Sequence, residues 1–161
     1  MSIAKFSHVS DAQYLKDAAC FPDRMEGKDI PLPRRATRGS AGYDFVCPAD
    51  VTIPRGQVVM VPTGIRCEME EGWMLMLCPR SSLGRKYGLR LSNTVGIVDS
   101  DYAHAENEGH ILLAMEQDRA DTVELHRGDR VCQGIFLRVG LAEEEDVETE
   151  RRGGYGSTGA V

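Results

Sequence analysis

Apolar residues recur along this chain in short runs, many alternating with polar residues, and each run is closed by Gly, Pro, Asp or Asn. Between Tyr43 and Val139 the runs are VTIP (51–54), QVVMVPT (57–63), GIRCEM (64–69), WMLMLCP (73–79), HILLAME (110–116), DTVELH (121–126) and RVCQGIFLRV (130–139). A period near two sends successive side chains to opposite faces of an extended backbone, so these runs predict β-strands. Short strands at this spacing predict a sandwich or jelly roll in one domain. The stretch LSNTVGIVDSDY (91–102) also scans as a helix, but Asn93, Gly96 and its β-branched residues oppose that reading. Ahead of the strands, residues 6–19 (FSHVSDAQYLKDAA) predict a short amphipathic helix capped by Ser10 or Asp11. Pro22, Gly27, Pro31, Pro33 and Gly39 then predict an irregular connection over 20–39.

Composition narrows the class. The chain has 161 residues, 42% hydrophobic and 27% charged, enough to bury one core. No run nears the ~20 apolar residues that span a bilayer. MSIAKFSHVSDAQYLKD mixes charges throughout, so neither signal peptide nor membrane anchor is expected. The net charge is −6, yet residues 143–150 (EEEDVETE) hold six of the 25 acidic residues, leaving 19 acidic against 19 basic elsewhere. Such a balance disfavours non-specific nucleic-acid binding, so no nucleic-acid partner is expected. Clustered arginines can still hold a small polyanion. Cys20, Cys47, Cys67, Cys78 and Cys132 include no C-x-x-C pair, and the expectation is buried free thiols in a reducing compartment. His8, His104, His110 and His126 add no zinc-ligand spacing.

Five stretches carry polar chemistry. In PRSSLGRKYGL (79–89), Arg80, Ser81 and Ser82 follow an apolar strand, where backbone N–H groups can cradle an anion or simply form a polar turn. In NTVGIVDSDY (93–102), a carboxylate ending an apolar run can act as a general base or as a turn former. SAGYDF (40–45) and RGDRVCQGIF (127–136) each bring an aspartate into an apolar strand through a small-residue turn. RRGGYGSTGAV (151–161) reads as a flexible tail by composition. Its arginines, glycines and hydroxyls also suit phosphate binding.

In this order and spacing the five stretches resemble the five motifs of the homotrimeric dUTP pyrophosphatases, the dUTPases, over roughly residues 30–159. The approach IPLPRRATRGSAGYDF and the ending GSTG agree as well. The resemblance implies an all-β fold, a distorted jelly roll or β-clip barrel with little helix. It divides the chain into an N-terminal extension with a short helix (1–29), the β domain (30–141), and an acidic linker and arm that closes a neighbouring site (142–161). It implies a homotrimer with shared sites, a cytoplasmic location (the host's for a viral source), and hydrolysis of dUTP to dUMP and pyrophosphate. That reaction limits uracil in DNA and supplies dUMP for dTMP synthesis.

Roles carry over residue by residue. Asp99 matches the aspartate that activates the attacking water. Arg80, Ser81, Ser82 and Gln133 match phosphate contacts. Asn93 and the backbone of Gly96, Ile97 and Val98 match the uracil reader, and Tyr102 the tyrosine under the deoxyribose. Tyr155 stands in for the usual stacking phenylalanine, while Arg151, Arg152, Gly156, Ser157 and Thr158 match the arm's grip on the phosphates. Asp44 and Asp101 match supporting positions. Magnesium is expected on the triphosphate, held through it and water rather than by a direct protein ligand.

The sequence departs from that pattern in places. The arginine expected five residues before the arm aromatic is Glu150 here, leaving Arg151 and Arg152 as alternatives. AHAENE (103–108) separates Tyr102 from Gly109, and residues 1–29 have no assigned role. Two alternatives share the fold. A dCTP deaminase, alone or bifunctional, needs a glutamate base where Ala114 stands, with Glu116 two residues on. A phage-type dUTPase would also bind a regulatory protein under nucleotide control.

Overall fold

The computed structural model describes residues 2–143 and Gly153. Its strands are β1 (Ala4–His8), β2 (Arg34–Arg35), β3 (Tyr43–Val46), β4 (Val51–Pro54), β5 (Val59–Pro62), β6 (Ile65–Met69), β7 (Trp73–Pro79), β8 (Arg90–Leu91), β9 (Gly96–Val98), β10 (Leu112–Glu116), β11 (Thr122–Leu125) and β12 (Arg130–Arg138). The helices are α1 (Asp11–Asp17) and α2 (Ser81–Tyr87), with short 3-10 turns at Gly27–Asp29 and Tyr102–His104. A five-stranded sheet runs β2-β3-β12-β7-β9, a three-stranded one β5-β10-β8, and β11-β4 and β1-β6 form pairs. The result is the expected mostly-β, jelly-roll-like architecture. Among the described residues no sheet closes into a barrel.

The predicted runs become strands because alternation buries one face. Val51 and Ile53 of β4 and Val123 and Leu125 of β11 point inward, while Thr52 and Glu124 between them stay exposed. These side chains meet Phe45, Leu75, Leu113, Met115 and Val131 in one core. Each such burial is worth about 1.5–3 kcal/mol.

The helix expected over 6–19 is divided. Residues 4–8 extend as β1 along β6, pairing Ala4 with Met69 and His8 with Ile65. Phe6 thereby stacks against Phe45, Tyr43 and Phe136, with ring centroids 5.5–5.7 Å apart. The helix begins only after Ser10, whose Oγ accepts from the Gln13 N–H at 3.1 Å. Tyr14 and Ala18 then enter the common core with Val9 and Ile30.

Residues 81–87, read from sequence as part of a polar turn, form α2 instead. Gly88, at φ 67, ends the helix and donates its N–H to the Gly84 and Leu83 carbonyls. A Cβ there would lie 2.8 Å from Arg119 Cγ. All five cysteines are free. Cys47, Cys67 and Cys132 are buried, and burial pushes their thiols up to about 11, 12 and 12 respectively. Cys78 is half-buried and Cys20 is exposed just after α1, against the expectation of uniform burial. No helix among the described residues is long and apolar enough to cross a membrane.

Candidate active site

Three of the five stretches meet at one end of the five-stranded sheet. The register aligns Asp44 of β3 with Gln133 of β12, and Gln133 with Cys78 of β7. Gly42 leaves room for this arrangement, because a Cβ there would lie 2.5 Å from Gln133 Oε1. Arg80 follows β7 directly. Its Nε lies 3.6 Å from Asp44 Oδ1, and Arg130 Nη1 donates to Asp44 Oδ2 at 3.2 Å. One largely buried carboxylate thus holds two guanidiniums side by side. Ser81 and Ser82 sit exposed in the first turn of α2, where backbone N–H groups lack intrahelical acceptors. A concavity of about 530 Å³ opens beside them, lined by Arg80, Ser82, Lys86, His126 and Arg130 among others. Its three basic side chains, Arg80, Lys86 and Arg130, outnumber its two carboxylates, Glu124 and Asp129, which leaves a small excess of positive charge for an anion. Arg130 was not singled out from sequence, although it stands inside RGDRVCQGIF; its contact with Asp44 spans 86 positions.

The other half of the candidate site is the hairpin from Asn93 to Tyr102. Asn93 is exposed at a tight turn in which Thr94 takes φ 70. β9 is an edge strand, paired with β7 on one side only. Its outer backbone groups therefore face outward for a ligand, much as peptide strands are read at sheet edges. Gly96 packs on β7 so closely that a Cβ would lie 3.2 Å from both Leu77 Cβ and Cδ1. Val98 is buried and Ile97 is exposed. Asp99 and Asp101 are exposed in the turn that follows, and the Tyr102 N–H donates back to the Asp99 carbonyl at 3.2 Å. Tyr102 is buried, its hydroxyl donating to the His110 carbonyl at 2.9 Å.

Within one chain these halves lie apart. Val98 pairs with Leu75, so Asp99 sits near the start of β7, while Arg80 follows its end. Arg80 lies five positions beyond Leu75, or about 17 Å at the usual rise of ~3.3 Å per residue. Arg151, Arg152, Tyr155, Gly156, Ser157 and Thr158 lie outside the described residues.

The loop after Tyr102 makes contacts that sequence reasoning missed. Glu108 bonds Ser10 and His110 bonds Asp17, joining the loop that ends at His110 to α1 and its N-cap. On β10, Ala114 is buried at the position where a deaminase glutamate would stand. Glu116 is engaged by Arg90 at 3.0 Å.

The dUTPase family profile matches residues 28–159. The deoxyuridine 5'-triphosphate nucleotidohydrolase of Lactococcus lactis is 40% identical over 140 residues, covering 85% of this chain and 93% of the relative. The corresponding enzyme of Hahella chejuensis is 37% identical over 145 residues, covering 85% and 92%. The crystal structure of the Streptococcus mutans dUTPase superposes with a TM-score of 0.69 at 38% identity, covering 86% of this chain and 98% of that one. The dUTPase of Staphylococcus bacteriophage 80alpha with dUPNHPP gives a TM-score of 0.67 at 17% identity, covering 99% and 100%, a likeness of fold. The fold is that of a jelly-roll nucleotidohydrolase. The chain belongs to the dUTPase family.

Proposed function

We propose that this chain hydrolyses dUTP to dUMP and pyrophosphate at sites assembled from three copies of itself, in the cytoplasm. The observation that carries shared sites is the separation of Asp99 from the Arg80–Asp44–Arg130 cluster along β7. An Asp99 about 17 Å away along β7 is poorly placed for a triphosphate gripped by Arg80, and a neighbouring copy supplies a nearer one. In a closed ring, the cluster of one subunit faces the hairpin of the next. The five free thiols fit a reducing compartment.

In each site Asp99 accepts a proton from water as the oxygen attacks the α-phosphorus. The bond to the bridging oxygen breaks and pyrophosphate leaves in line. Arg80, Ser81, Ser82 and Gln133 hold the phosphate oxygens on which charge builds. Asp44 keeps Arg80 aimed, with Asp101 supporting the turn around Asp99. Arg151 or Arg152, with Gly156, Ser157 and Thr158, closes over the β- and γ-phosphates from a third subunit. The β9 edge and Asn93 read uracil, where cytosine would leave polar groups mispaired. Tyr102 supports the deoxyribose, and Tyr155 stacks over the base.

Magnesium enters as part of the substrate, bound to the triphosphate. Among the described residues no three of His, Cys, Asp and Glu gather as a metal cage. Both Asp44 oxygens already face guanidiniums. On this reading the ion takes its oxygens from phosphate and water, and when bound it would offset charge on the leaving group.

The test is pyrophosphate release from dUTP, dCTP, dTTP and UTP by the native chain and by Asp99→Asn. The expected result is turnover of dUTP in strong preference, abolished in Asp99→Asn with dUTP binding retained. Ammonia release from dCTP, or unimpaired turnover by Asp99→Asn, would overturn the assignment.

A further inference from the structure

Two segments lie outside the five motifs, the N-terminal 1–29 and residues 103–108, and they touch. The N-cap and the last residue of α1 both grip the C-terminal part of the Tyr102–His110 loop. At the start, Ser10 donates its backbone N–H to Glu108 Oε2 at 2.7 Å and its hydroxyl to Oε1 at 2.6 Å. At the finish, Asp17 Oδ2 accepts from His110 Nδ1 at 2.6 Å and from Gln13 Nε2 at 2.7 Å. Arg66 of β6 adds a third hold, donating to the Ala103 carbonyl at 2.6 Å.

The loop is bent where it is held. Glu108 adopts φ 59, a left-handed conformation that costs a side-chain-bearing residue free energy. Gly109 follows at φ 70, with the loop's own start so near that a Cβ would lie 2.6 Å from Ala103 Cα. External contacts must therefore stabilise this path. The path sets Tyr102, because its hydroxyl donates to the His110 carbonyl and accepts from Asn107 Nδ2, each at 2.9 Å. Both partners lie in the clamped loop.

We infer that α1 is a positioning element for nucleotide discrimination: the Ser10–Glu108 and Asp17–His110 contacts hold Tyr102 where it admits a deoxyribose and rejects a ribose. The inference rests on the assignment of Tyr102 to the sugar. Ser10 and Glu108 touch no reacting atom. They act through the loop, so their loss moves selectivity and KM more than kcat.

The experiment compares kcat and KM for dUTP and UTP in the full-length assembled protein. The variants are Ser10→Ala, Glu108→Ala, the pair together, Ser10→Thr and Tyr102→Leu, each with its melting temperature. Ser10→Ala and Glu108→Ala should raise KM for dUTP and reduce the dUTP-over-UTP preference about tenfold, as small displacements in a site do. The double variant should lose no more preference than Glu108→Ala alone, because that substitution already removes both bonds to Ser10. Ser10→Thr, which keeps the hydroxyl, should retain native preference. Tyr102→Leu should lose preference as well. Unchanged preference in Ser10→Ala and Glu108→Ala, with loss in Tyr102→Leu, would overturn the positioning role, even if melting temperatures fell. Unchanged preference in Tyr102→Leu would instead overturn the sugar assignment beneath it.

Discussion

The imidazole of His110 is held between Asp17 and the backbone of Gly64, and that pairing fixes its protonation. The Gly64 N–H can only donate, and it points at Nε2 from 2.8 Å, so Nε2 carries no proton. Nδ1 therefore carries it and donates to Asp17 Oδ2 at 2.6 Å. The ring is fully buried and neutral. Burial lowers its proton affinity below the ordinary value of 6.5, opposed by the Asp17 and Glu108 carboxylates.

A pH dependence of stability follows. The unfolded chain binds a proton at His110 more readily than the folded one, so acid favours unfolding. The contribution is fully present above pH 6.5 and is lost as pH falls toward the lowered folded value. The slope in that window approaches about 1.4 kcal/mol per pH unit. Denaturant midpoints between pH 7.5 and pH 5 should fall for the native chain and fall less for His110→Gln. Glu108, held low by its Ser10 hydrogen bonds, acts in a separate window below 4.5. Equal slopes in the two proteins would refute the neutral-histidine account.

Removing the Asp44 carboxylate should leave Arg80 and Arg130 facing each other without their shared partner. Asp44→Ala should lower stability by about 1–3 kcal/mol, since the carboxylate is largely buried. It should also raise KM for dUTP. Added pyrophosphate should raise the melting temperature of Asp44→Ala more than that of the native protein, because an anion replaces the missing charge. Equal shifts would separate the two guanidiniums from phosphate binding.

Two glycines with positive φ should respond differently to alanine. Gly109, at φ 70, would place a Cβ 2.6 Å from Ala103 Cα and 2.7 Å from the Tyr102 carbonyl oxygen. Gly128, at φ 90, has nothing within 4 Å. Gly128→Ala should cost only the backbone penalty of about 1–2 kcal/mol, and Gly109→Ala more than about 3 kcal/mol. Thermal unfolding of the two variants checks this order, and equal losses would contradict the tight return of the loop onto Tyr102.

Much of this architecture was legible in the sequence where side chains alternate. Val51–Ile53 and Val123–Leu125 announce strands because one face of each is buried and the other exposed. β1 was hidden because its five residues are mostly half-buried on both faces, without clean alternation. α2 was hidden because it spans only seven residues and carries Gly84 in its middle. The polar motifs were legible as a set, and Asp44, Arg80 and Gln133 do converge. Arg130 and the α1 clamp were not, because their partners lie 86 and 98 positions away along the chain. Residue spacing carries no signal over such separations.

We propose that Arg80 and Asp99 serve the same site from different subunits. Subunit mixing tests it most directly. Arg80→Ala and Asp99→Asn should each be inactive alone on dUTP. Unfolded together in equal amounts and reassembled, they should regain about a quarter of native pyrophosphate release, the share of sites that draw an intact Arg80 from one copy and an intact Asp99 from its neighbour. No recovery from well-folded mixed assemblies would place both residues in one chain's site and contradict the account.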